Sequence, residues 1–239
     1  MSVEFKVAEK NFSVVLLGKF NVLHHIPENL EAMGLLNSAD KASTQINFVS
    51  AADIQLSLPW GHLRIDPATR ETNRLSIFLS EPSLYTIFKD FVIALLNYND
   101  TAMPYVMGIN HRIWITQSSQ RDWDHFGDCL TPKEAWLELF GTENSRAGMN
   151  EVSMKIDSVF EPTFSSDQKA PELNVSIKPV THLPDGKEQK FCSECALNFH
   201  FPLDLKNNIG SAFEIMEVHF DELFHSGEAR IAQIVERFS

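Results

Sequence analysis

Ten glycines in 239 residues leave little room for the glycine-rich loops that cradle phosphates. The chain has no Walker-type loop, no Gly-x-Gly-x-x-Gly turn, no Gly-x-Ser-x-Gly elbow and no His-x-x-x-His pair. These absences remove the motif-defined nucleotide-binding, dinucleotide-binding, hydrolase and metalloprotease classes, so the sequence points to a binding protein rather than an enzyme. Cysteine is scarce too. Cys129, Cys192 and Cys195 make an odd count with no extracellular context, which argues against a disulfide framework.

Positive charge is in short supply, with 20 Lys and Arg against 32 Asp and Glu, a formal net charge of −12. That field opposes docking on nucleic-acid phosphates or anionic lipid, so the expected partner is another protein, with a homodimer as one form of it. No apolar run approaches the roughly 18 residues of a membrane span. The start of the chain alternates Val3, Phe5 and Val7 with Glu4 and Lys6, unlike a signal peptide. The expectation is a cytoplasmic protein with no membrane partner.

Apolar residues are plentiful, at 44% with 18 Phe, enough for a substantial core. Helix punctuation is legible in four places. Pro27 and Gly34 bracket a short helix through Leu30, and Thr131-Pro132-Lys133-Glu134 opens another through Trp136 and Leu139 that stops at Gly141. Glu81-Pro82 opens a buried helix through Phe88, Phe91, Val92, Leu95 and Leu96. A capping box at Ser211 to Glu214 precedes an apolar stripe from Phe213 to Phe238, with Gly227 as an expected kink.

Strands show as alternation: Ile54, Leu56, Leu58; Leu75, Ile77, Leu79; Val152, Met154, Ile156; Leu173, Val175, Ile177; Cys195, Leu197, Phe199, Phe201. One-sided alternation means antiparallel sheet with one solvated face, so the fold class is α+β, antiparallel sheet packed against helices. The order of elements repeats. Matching Gly18 with Gly108, Pro27 and Gly34 with Pro132 and Gly141, and Leu58-Pro59-Trp60-Gly61 with Leu183-Pro184-Asp185-Gly186 gives two degenerate β-α-β(3)-α repeats, residues 1–100 and 101–239, or one continuous domain built from both.

Three polar constellations stand out. Trp60, Arg64, Arg70 and Arg74 form a partner- or anion-binding candidate, because arginine forks suit carboxylate and phosphate and Trp and Arg are enriched in interface hot spots. His111, Asp122, Asp124, His125 and Asp128, placed in a loop before a helix, are the alternative: a metal-assisted hydrolase or nuclease. Cys192-Ser-Glu-Cys195 has chelating spacing, but on an alternating strand its two thiols point to opposite faces. No cofactor and no resident metal are expected. The function expected first is a non-catalytic protein-binding, adaptor or regulatory subunit of a larger assembly; a small-ligand sensor binding between the halves is the third reading.

Overall fold

Nine strands and seven α-helices build the computed structural model, which describes residues 5–98, 103–142, 145–157, 170–204 and 206–238. The strands are β1 (Phe5–Gly18), β2 (Gln45–Val49), β3 (Ile54–Leu58), β4 (Gly61–Pro67), β5 (Asn73–Leu79), β6 (Val106–Gln117), β7 (Val152–Asp157), β8 (Glu172–His182) and β9 (Glu188–Pro202). All pair antiparallel in one sheet of order β2-β3-β4-β5-β1-β6-β9-β8-β7. The fold is therefore α+β, as the alternation predicts. Each half winds outward from a long first strand, and the two first strands pair with each other from Phe5↔Gln117 to Leu17↔Val106. The expected division at residue 100 lies outside the described residues.

The helices are α1 (Pro27–Ala32), α2 (Ser38–Ser43), α3 (Tyr85–Tyr98), α4 (Gln120–Leu130), α5 (Glu134–Phe140), α6 (Asn208–Val218) and α7 (Phe220–Phe238). Gly34, at φ 74°, ends α1 as expected: its amide bonds Glu31 O while the Leu35 amide reaches Leu30 O, satisfying carbonyls the helix leaves unpaired. The core-facing side chains of the strands, such as Val14, Leu16, Ile65, Ile77, Ile109 and Phe199, are buried in one cluster with Phe88, Phe126, Phe220 and Ile231 of the helices. Phe12 of β1 sits near its centre, edge-on to Phe88, Phe220, Phe224 and His111 with ring centroids 4.8–5.7 Å apart.

Several local expectations are corrected. The first half carries four strands after its helices, not three, because β2 adds an edge. Gly18 cannot match Gly108, since the paired residues Val14 and Ile109 both face the core, so alignments that keep the faces need an odd offset, and 90 is even. Ser211 does not cap a helix. It lies inside α6 and its hydroxyl donates to Asn207 O. The last helix breaks at His219 rather than at Gly227, which lies within α7. Asp122 to Asp128 form helix α4 instead of a loop, capped by Ser119.

Gly227 has a packing reason. A Cβ built there would lie 2.4 Å from ring atoms of His111 on β6, so the absent side chain lets α7 settle onto the sheet. Gly227→Ala is expected to lower the urea midpoint despite alanine's better helix propensity, with a loss of about 1–2 kcal/mol in unfolding free energy net of that gain. An unchanged or raised midpoint would contradict this packing.

Candidate functional site: the open polar face of the sheet

With the helices on one face, strand alternation sends the other set of side chains to an open face, and these are short or polar at the centre. Reading across one row of the register, Phe78, Ser13, Asn110, Asn198 and Asn174 stand side by side on β5, β1, β6, β9 and β8. Asn198 donates to Asn110 and receives a 3.3 Å hydrogen bond from Asn174, giving an amide ladder. Gly108 lies one open-face position away on β6, and a Cβ there would meet Asn198 Nδ2 at 2.9 Å. Small residues thus make a low floor, and the groove above it encloses about 710 Å³, rimmed on one side by His182, Leu183 and Pro184 at the tip of the β8–β9 hairpin.

Two ionic clusters flank this floor. On β4 and β5, Asp66 receives a fork from Arg74, Nη2 to Oδ2 at 2.6 Å and Nε to Oδ1 at 3.3 Å, while Arg64 Nε stands 3.4 Å from the same Oδ1. On β6, β9 and β8, Glu194 Oε1 lies 3.2 Å from Arg112 Nε and 3.4 Å from Lys178 Nζ. The two carboxylates are only 10% exposed, whereas the four cationic side chains are 42–55% exposed. Each cluster shares one buried acid between two cations, a formal surplus of one positive charge in a chain of net charge −12; Arg64, Arg74 and Arg112 line the groove, and Lys178 stands outside it on β8. Toward the β7 edge, Lys155 bonds Glu172 at 2.7 Å and closes its own charge.

The expected site residues separate accordingly. Arg64 and Arg74 belong to the groove, both paired with Asp66. Arg70 sits on the exposed β4–β5 turn outside it. Trp60 is 4% exposed and packs on Phe88 and Phe91 of α3, which corrects its reading as a partner contact: the turn after β3 points its indole into the core. Arg112, Lys178, Glu194, Asn110 and Asn198 were not singled out in the sequence. Their signal is their position at the polar step of alternating strands, and it becomes a site only once the strand order is known.

The Asp/His set does not converge. His111 is buried against α7 with Nε2 2.8 Å from Leu223 O, and burial pushes its pKa down to about 4. Asp122 lies in the first turn of α4, its carboxyl held below the usual range by the Ser118 and Ser119 hydroxyls at 2.7 Å. Asp128 is paired with Lys133, Asp124 is exposed, and His125 stands 3.7 Å from Cys129 Sγ on the same helix. Among the described residues, no three His, Cys, Asp or Glu side chains group as metal ligands. Cys192 and Cys195 are buried on opposite faces of β9, as expected, with burial raising their thiols to about 11 and about 12. Among the described residues, no helix is long and apolar enough to cross a membrane.

Comparison with protein-family models and with curated proteins finds no match for the chain. The groove is consequently read from its own chemistry.

Because His111 is a base whose folded pKa lies below its unfolded value near 6.5, the unfolded chain binds the extra proton. The stability that depends on neutral His111 is present above about pH 6.5 and is lost as pH falls through about 4. Urea unfolding at pH 7 and pH 5 should show wild type losing about 2 kcal/mol more than His111→Gln does. Equal losses would place the proton-linked cost elsewhere.

Proposed function

We propose that the chain is a non-catalytic binding protein, an adaptor or assembly subunit, that holds an acidic segment of another protein in the open-face groove. The observation that carries this reading is the shared-acid arrangement. Asp66 and Glu194 fix the directions of Arg74, Arg64, Arg112 and Lys178 from below, while part of each cation stays accessible to a ligand. A buried carboxylate that orients a guanidinium reduces the entropy lost when the guanidinium meets a second carboxylate. The amide ladder supplies donors and acceptors for the peptide backbone between the charges.

Charge complementarity separates protein from nucleic acid here. A phosphate backbone carries a charge at every nucleotide, and beyond the two clusters those charges would meet a chain of net charge −12. A peptide with a few carboxylates asks for no more than the groove offers. The two clusters belong to different halves, and each holds one acid between two bases.

Fluorescence anisotropy tests the reading with two labelled peptides, one rich in glutamate and one rich in lysine. The glutamate peptide should bind, weaken as salt rises, and lose roughly tenfold in affinity in an Arg64→Gln, Arg112→Gln double variant, about 1.4 kcal/mol for the lost charge-assisted contacts. These substitutions leave Arg74 on Asp66 and Lys178 on Glu194, so neither buried acid is orphaned. Equal binding of both peptides, or binding of the glutamate peptide that ignores the double substitution, would overturn the proposal.

A further inference from the structure

The two cationic clusters are not side by side, and the strand register fixes how far apart they are. Arg64 pairs with Ser76, Ser76 with Val15, and Val15 with Gly108, which takes the path across three strand spacings to β6. Arg112 stands four residues further along β6. Three steps of about 4.8 Å across and four residues of about 3.4 Å along give a diagonal of about 20 Å between the two Cα positions. That diagonal crosses β5 between Ser76 and Phe78 and β1 between Ser13 and Asn11, with Asn110 of β6 to one side.

A diagonal of that length is too long for one carboxylate, one phosphate or a small dicarboxylic acid to touch both clusters. It is the span of about six residues of extended chain. A helix would need about 13 residues to cover it and would stand too wide, at about 10 Å, to bring its backbone to the floor. Under that line the hydroxyls of Ser76 and Ser13 and the amide of Asn11 stand beside Phe78 and Val15, and the polar groups match the unpaired N–H and C=O of an extended strand.

We infer that the groove is a two-point reader of extended acidic peptide, taking one carboxylate group at Arg64 and a second, about six residues away, at Arg112, the facing members of the two clusters. This rests on the reading of the groove as an acidic-segment site and adds its length and conformation. Spacing, rather than charge alone, then decides which acidic segments bind: a segment with both carboxylate groups at the right separation engages the two clusters at once, while a compact acidic run engages one at a time. The second contact is intramolecular after the first and gains accordingly.

The experiment uses the full chain and three labelled peptides of equal length, each carrying four glutamates among serine and glycine. One has the four in a single run, one has two pairs with centres two residues apart, and one has two pairs with centres six residues apart. The widely split peptide should bind at least about fivefold tighter than the other two. Arg64→Gln and Arg112→Gln, made singly, should each bring it down to their level while changing the single-run peptide much less. Equal affinity for all three peptides, with both variants lowering all of them alike, would overturn the two-point inference and leave a groove that reads charge only. Absence of binding by any of the three would overturn the groove reading as well.

Discussion

The pairing of β1 with β6 is the contact on which the rest of the molecule depends. It runs from Phe5↔Gln117 to Leu17↔Val106, joining two smaller sheets into one of nine strands. Because the side-chain period of a strand is two, that register also fixes which residues of the two halves share a face. Phe12, Val14 and Leu16 turn inward together with Met107, Ile109 and His111, and α3, α6 and α7 close over them. The same register turns Ser13, Val15, Gly108 and Asn110 outward, where they become the groove floor. A slip by one residue would exchange these sets and destroy core and groove together.

The core and the groove solve opposite problems with the same strands. On the helix face, aromatic side chains fill depth: Phe12, Phe88, Phe220 and Phe224 meet edge-on or stacked, and His111 joins them as a neutral base whose nitrogen is satisfied by Leu223 O. On the open face, glycine, serine and asparagine stand among Val15, Leu17, Phe78 and Trp114, and charge is held at the two ends. Asp66 and Glu194 are mostly buried there, and each survives burial because two cations neutralise it. The clusters are therefore structural in their lower half and available in their upper half.

Much of this was legible in the sequence, because alternation and caps are local signals. The strands around Ile54, Leu75, Leu173 and Leu197 follow their alternation, and α1 ends at Gly34. What failed did so for identifiable reasons. Helix α4 was hidden by its aspartates, glycine and histidine, although Trp123, Phe126, Gly127 and Leu130 keep helical spacing and Ser119 offers a cap. Trp60 looked exposed because it follows a proline in a turn, whereas the twist of the β3–β4 hairpin aims it at α3. The site itself was half visible. Arg64 and Arg74 are close in sequence, but Arg112, Lys178 and Glu194 come to the same face only through long-range pairing, which no local pattern encodes.

Other surfaces compete with the groove for attention: the edge strand β2, with Ile46, Phe48 and Val49 half exposed, and helix α5, where Trp136, Leu139 and Phe140 are 62–77% exposed. Amide chemical-shift mapping with an acidic peptide distinguishes them directly. The perturbed amides should be those of β4, β5, β1 and β6, centred on Ser76, Phe78, Ser13 and Asn11, with the Arg64 and Arg112 side-chain resonances moving in step. Perturbations confined to β2 or α5, with the sheet centre unmoved, would contradict it.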